Sequence, residues 1–391
     1  MKRTLDGLAR VPVLSYGFRP FFLGGAIWAV AAMLLWIGVV TGQWEIATNY
    51  GSIAWHAHEF LFGYIGAVIA GFLLTAIPNW TGQLPIRGGP LLILFLLWMA
   101  GRISLLVIDQ IGNLPAAIVD SLFLLTFALV IFREIVAGRN WRNLKAAALI
   151  FLFAIADVGF HVETILFGTP DYSLRVGIAV VISLIMLVGG RIVPSFTHNW
   201  LARAGANRLP TSFDRFDIVS IFIALVALVT WIALPISNPT GFLLILAGLV
   251  QFARLLRWAG LGTWRDPLVL LLHVGYTFLP LGFLLIGASV LSPALMLPTE
   301  ALHAWTAGAM TLMTLAVMTR ATRGHTGQEL TAGAATQFIY AAAIVAAASW
   351  LLPLAPELSS TRLAISAAAW IAAFGGFVLC YGPMLLRSRR A

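Results

Sequence analysis

The sequence predicts an all-α fold, a polytopic membrane bundle of twelve helices with both termini in the cytoplasm. Three observations predict it. Of 391 residues, 60% are hydrophobic and only 10% charged, with a mean hydropathy of +0.95, against about 25% charged in an average soluble chain. Apolar runs of about 20 residues, the length that crosses a hydrocarbon core, recur from end to end. Lys and Arg gather in alternate loops, as orientation in a bilayer requires.

Residues 1–19 are polar and basic, an expected cytoplasmic segment. The apolar run after them continues past Met33, so it reads as an uncleaved first span rather than a signal peptide. Twelve spans are expected at 20–40, 51–77, 90–109, 114–133, 145–167, 174–194, 214–235, 240–258, 267–290, 300–320, 332–352 and 361–386. The loops between them are short and marked by Pro78, Gly88-Gly89-Pro90, Pro235 and Pro293. Residues 20–386 then form one bundle within a single membrane domain, 1–391, and 387–391 a basic cytoplasmic tail. Trp44, Trp80, Trp141, Trp200 and Trp264 fall near span ends, as in an interfacial belt.

Loop charge tests this topology. Of 24 Lys and Arg, all fall inside except Arg175 and Arg362, which fall outside, and Arg102, which lies within a span. The net charge of +9 is therefore spread over inner loops and marks orientation, not nucleic acid. Cys380 is the single cysteine, which excludes an internal disulfide, an iron–sulfur cluster and covalent C-x-x-C-H haem. Any metal must be held by His, Met, carboxylate or Tyr.

Depth follows from a rise of about 1.5 Å per residue. His56, His58, Glu59, Arg102, Asp120, Asp157, His161, Glu163 and His303 all fall in the outer half, on five helices. Ionisable groups in a bilayer are costly and mark interiors, cavities and functional sites. Arg102 paired with Asp120 or Asp157 would be structural. The four histidines point to metal or haem, the alternatives being satisfied core histidines or a proton path without metal. On an ideal helix His56 shares a face with Glu59, Gly63, Gly66, Ala67 and Ala70, a small-residue stripe that would admit a helix or a flat macrocycle. His58 lies about 200° away, so the two histidines should not chelate one ion. Glu59 reads as an acceptor behind an imidazole or as a proton donor.

A second group lies towards the cytoplasm. His273 is the deepest, and His198 and His325 are loop or ligand residues. Arg191 and Arg320 are placed to clamp haem propionates or to serve as ordinary interfacial cations. Met310 and Met313 follow His303 and suit cuprous copper or simple packing. His56-Ala57 leads to Thr81-Gly82 at nearly the spacing at which His303-Ala304 leads to Thr326-Gly327, a weak internal repeat.

WHAHEFLFGY, GGRIVPSFT, LLHVGY and ALHAWTAGAMTLMTLAVMTRATRGHTG, in that order, resemble the NnrS family, from SYGFRPFF (Ser15 to Phe22) through Gly327. The resemblance implies a twelve-span bacterial inner-membrane protein with haem and copper, linked to denitrification and relief of nitric oxide stress. The haem would be non-covalent and b-type. His56, His58, His273, His303 and His325 match the family motifs, whereas His161 and His198 rest on position.

The function expected is binding of nitric oxide and its reduction or detoxification at metal centres built from intramembrane histidines. NO is uncharged and lipid-soluble, so it reaches a buried site without a polar channel. The candidate haem-holding residues are His56, His58, His273, His303, Arg191 and Arg320, and the candidate metal ligands His56, His58, His161, His303 and His325. Glu59 and Glu163, open to the outer side, would supply protons, and quinol would supply electrons. A non-enzymatic haem or copper sensor, an NO-protective carrier and a transporter are the other classes.

Overall fold

The computed structural model describes residues 7–47, 50–352 and 359–388. Lys2, Arg3, Arg389 and Arg390, counted above among the inner charges, lie outside the described residues. Among the described residues 12 helices are long and apolar enough to cross a membrane. They are α1 (Phe18–Val40), α2 (Ser52–Thr81), α3 (Gly89–Leu106), α4 (Asn113–Ala137), α5 (Trp141–Phe167) and α6 (Asp171–Arg203). The rest are α7 (Arg215–Ala233), α8 (Asn238–Leu256), α9 (Pro267–Leu291), α10 (Pro298–His325), α11 (Ala334–Leu351) and α12 (Ser359–Leu386).

Each expected span coincides with one of these helices. The largest differences are at the ends of α6 and α10, which run on through GGRIVPSFTHNW and MTRATRGH. Hydropathy marks where a helix stops being apolar, and these two stay helical beyond that point. Turns close where the chain needs them: Gly82 and Gly327, the glycines of the two Thr-Gly steps noted above, both take positive φ (71° and 76°).

Two compact units are distinguished. One comprises Met1–Val180, Ala321–Glu329 and Phe374–Ala391, and the other Val181–Arg320 and Leu330–Ala373. In the first unit α1 packs on α2, α3 on α4, and α4 on both α2 and α5. The buried Arg19 donates to the carbonyls of Leu385 (2.9 Å) and Arg387 (2.6 Å), so a cation closes the C-terminal end of α12.

In the second unit α9 packs on α8 and on the middle of α10. An Asp214 capping box starts α7, its carboxylate accepting from Phe216 N and Asp217 N. Arg257 hydrogen-bonds that exposed carboxylate and holds it below its usual range. Deeper in, Arg254 donates to Asp217 (2.8 Å) and to the Tyr276 hydroxyl (3.0 Å), and Tyr276 donates to Gln251 (3.1 Å). Each buried polar group in that set has a partner, so it reads as a brace between α7, α8 and α9.

Among the described residues, three of the long helices contain a wider turn in their interior. They widen into π-helix at Glu59–Ile65 in α2, Ile185–Gly189 in α6 and Ala304–Met310 in α10. The three fall on every fourth helix of the chain. A π turn disrupts the regular hydrogen-bond ladder, and in each a side chain bonds a carbonyl of the segment. Trp98 Nε1 donates to Gly63 O (2.9 Å), Arg254 Nη1 to Met186 O (3.4 Å) and Thr311 Oγ1 to Thr306 O (3.0 Å).

The packing around α10 is tight enough to test. A Cβ on Gly282 would lie 2.1 Å from Trp305 Cδ1, and that indole is fully buried between Trp231 and Phe283. Gly282→Ala is expected to cost about 1–3 kcal/mol by overpacking. The loss would be read as a lower unfolding midpoint in detergent. Gly375→Ala, where a Cβ meets nothing within 4 Å, should leave the midpoint unchanged or higher.

Candidate functional site

The first unit gathers seven polar side chains from four helices and one loop. His58 and Glu59 come from α2, Arg102 from α3, Asp120 from α4, Asp157 and His161 from α5, and Tyr50 from the turn before α2. None is more than 4% exposed. Asp157 and His161 are four residues apart and so share one face of α5. Two glycines clear the space opposite. A Cβ on Gly63 would lie 2.1 Å from Arg102 Nη1, and one on Gly101 2.4 Å from Asp120 Oδ1.

Arg102 bridges two carboxylates, its Nη1 donating to Glu59 Oε2 (2.8 Å) and its Nη2 to Asp120 Oδ1. His58 is surrounded by acceptors. Its Nε2 lies 2.9 Å from Asp157 Oδ1 and 3.1 Å from Asp120 Oδ2, and its Nδ1 lies 3.3 Å from Glu59 Oε1. His161 Nε2 reaches the same Asp120 Oδ2 at 3.0 Å, and its Nδ1 lies 2.8 Å from Tyr50 Oη. Phe62 and Phe160 wall the His58 ring, each with its centroid 5.2 Å away. Burial, and then Asp120 and Asp157, push the Tyr50 phenol well above its ordinary range, so it keeps its proton.

One ligand atom from each of His58, Asp120, Asp157 and His161 lies within 4.8 Å of all the others. The donor set is two imidazoles and two carboxylates, fully enclosed and able to hold a metal ion. The cluster has three carboxylates against one guanidinium, and Asp157 Oδ2 and Arg102 Nε lack hydrogen-bond partners.

Several expectations change here. Glu59 does not go with His56. The helix turns π at Glu59, so ideal α angles stop applying, and the carboxylate faces His58 and Arg102. Nor is Glu59 open to one side, since it is 0% exposed. The small-residue stripe is filled by protein rather than left for a macrocycle. Arg102 lies against Gly63, Leu124 and Phe153 lie against Gly66, and Ala67 lies against Gly25. Glu163 stands apart from the cluster, its Oε2 accepting from Tyr172 N (2.9 Å) and Ser173 N (3.2 Å) in the first turn of α6. Arg102 pairs with Asp120, one of its two expected partners, and also with Glu59.

His56 and His58 do diverge. The His56 ring is half-buried and stacks on Trp36 of α1, with centroids 4.2 Å apart and Phe60 at 4.7 Å. His325 sits against Phe18 (5.4 Å) and Tyr16 (6.1 Å) in the same unit. In the second unit His303 lies flat on Trp350 (3.9 Å, 11°), with its Nδ1 2.7 Å from Thr299 O. His273 is buried against Gly260. Its Nε2–H donates to Thr197 Oγ1 (2.7 Å), which itself donates to Val193 O (2.8 Å). The Arg320 guanidinium covers Phe196 at 4.1 Å, while Arg191 and His198 are exposed. Met310 and Met313 are enclosed by packing.

Sequence reasoning did not name Asp120 and Asp157 as ligand candidates. The Asp157–His161 spacing in DVGFH was the available signal, read there only as depth.

Removal of Arg102 tests how far this cluster holds the unit together. Arg102→Met leaves Glu59 and Asp120 buried without a cation, a loss of about 3–5 kcal/mol. Adding Glu59→Gln should recover part of that loss, measured as the unfolding midpoint in detergent. Arg133→Met, at a largely exposed side chain, is the comparison. An equally small effect at Arg102 would show that the buried pairing contributes no net stability.

Among known proteins, no curated protein matches the chain. The family described as NnrS protein matches residues 12–389, nearly its whole length. The chain belongs to the NnrS family of membrane proteins.

Proposed function

We propose that the protein is a bacterial inner-membrane haem and copper protein, with both termini cytoplasmic, that binds nitric oxide and reduces it. Membership of the family supports the class of chemistry. The observation that carries the assignment to residues is the setting of His303. Its Nδ1–H donates to Thr299 O at 2.7 Å, which fixes the tautomer and leaves the Nε2 lone pair for an iron. Stacking on Trp350 holds the ring in one orientation. His56, clamped between Trp36 and Phe60 one turn before another π segment, is the second candidate of this kind.

These imidazoles would hold haem, and haem when bound would supply a reducible iron able to take NO. Copper fits the same imidazole class. Its cuprous form prefers sulfur, which the buried Met310 and Met313 on the helix of His303 would have to supply. Reduction of two NO to nitrous oxide and water consumes two electrons and two protons, with quinol as the proposed electron source.

Purified, reduced protein is expected to consume NO and release one nitrous oxide per two NO, followed with an NO electrode and gas chromatography. A stable spectral change without nitrous oxide would instead make it a sensor or carrier. His303→Ala and His56→Ala are each expected to lose haem, read as Soret absorbance per chain in monodisperse preparations. Full haem in both variants would overturn the ligand assignment.

A further inference from the structure

We propose that His58, Asp120, Asp157 and His161 form a closed, structural site for one divalent transition-metal ion of the nitrogen- and oxygen-liking class, separate from any haem iron. Four features of the site carry this.

The first is the second partner of each imidazole. His58 Nδ1 faces Glu59 Oε1 and His161 Nδ1 faces Tyr50 Oη. Metal-ligating histidines nearly always donate their other ring N–H in this way. With those hydrogens on Nδ1, both Nε2 lone pairs are turned to one place, the neighbourhood of Asp120 Oδ2.

Spacing agrees. The contacts Nε2(58)–Oδ1(157), Nε2(58)–Oδ2(120) and Nε2(161)–Oδ2(120) are 2.9, 3.1 and 3.0 Å. Metal–ligand bonds of ~2.1 Å put adjacent ligands about 3.0 Å apart in an octahedral arrangement and about 3.4 Å apart in a tetrahedral one.

Charge is the third. Glu59, Asp120 and Asp157 against Arg102 leave two negative charges in excess when both imidazoles are neutral. A divalent ion cancels them. The fourth is Asp157 Oδ2, fully buried with no partner, an acceptor atom on a residue already in the ligand set.

The absence of sulfur from the set disfavours cuprous copper and suits manganese, ferrous iron, zinc or cupric copper. Four protein ligands with every residue enclosed is the pattern of a structural rather than a reactive ion, which keeps an open position. The ion would then lock α2, α4 and α5 together.

The test uses the whole protein in detergent, with metals counted per chain and haem iron subtracted by its haemochrome spectrum. One non-haem divalent ion per chain is expected beyond any copper that His303→Ala or His56→Ala removes, with a nitrogen and oxygen shell at about 2.0–2.2 Å in X-ray absorption. Asp157→Asn and His161→Gln should each lose it while keeping their haem. Should either variant fail to fold, wild type stripped with a chelator is titrated with Zn(II), and one site per chain that also raises the unfolding midpoint is expected. No non-haem metal and no Zn(II) uptake, unchanged metal in both variants, or a sulfur shell would overturn the proposal. An ion-free cluster joined by protons alone would give the first of these results. Loss of NO chemistry with the metal count intact would count against the functional reading and leave this site standing.

Discussion

A buried charge in a helix bundle that faces lipid must be answered by another, and the Arg102 guanidinium answers two carboxylates at once. Lipid offers no water to solvate an unmatched ion. Arg102 on α3 therefore holds Glu59 on α2 and Asp120 on α4 together. The consequences spread outward. Asp120 orients both His58 and His161, Glu59 orients His58, and Gly63 and Gly101 exist as bare backbone so that the pair can close.

The second unit meets the same constraint with a different outcome. Arg254 takes Asp217, Tyr276 and a carbonyl of the α6 π segment, and nothing in that network points at a common empty centre. The contrast separates a brace from a site. In the brace each acceptor has its donor. In the cluster of the first unit two imidazole nitrogens and two carboxylates crowd one small volume, and one oxygen is left over.

Much of the architecture was legible in the sequence, because span length and hydropathy are strong one-dimensional signals. All twelve helices fall where the apolar runs put them. The divergence of His56 and His58 was legible too, from 3.6 residues per turn. What followed Glu59 was not. No residue in EFLFGYI announces a π turn, so the face that Glu59 shares was misjudged, while the Gly63–Gly66 stripe took the first of its two expected neighbours, other helices. The role of Glu163 at the start of α6 and the joining of Asp120 to Asp157 depend on how helices pair. Depth along a helix does not carry that information.

The π segments give the long helices a property that a uniform helix lacks. A residue accommodated in a widened turn shifts everything beyond it by about 100° relative to a regular α-helix. In α2 the half that carries His56 and His58 is therefore set in rotation independently of the half that packs Leu73, Leu74 and Ile77. Substitutions that refine packing in one half need not disturb the aim of the other. Deleting a single residue between Glu59 and Ile65 would swing the two out of phase while leaving composition, hydropathy and length almost untouched. A rotational error of that kind would not show in any of the signals from which the helix was first read.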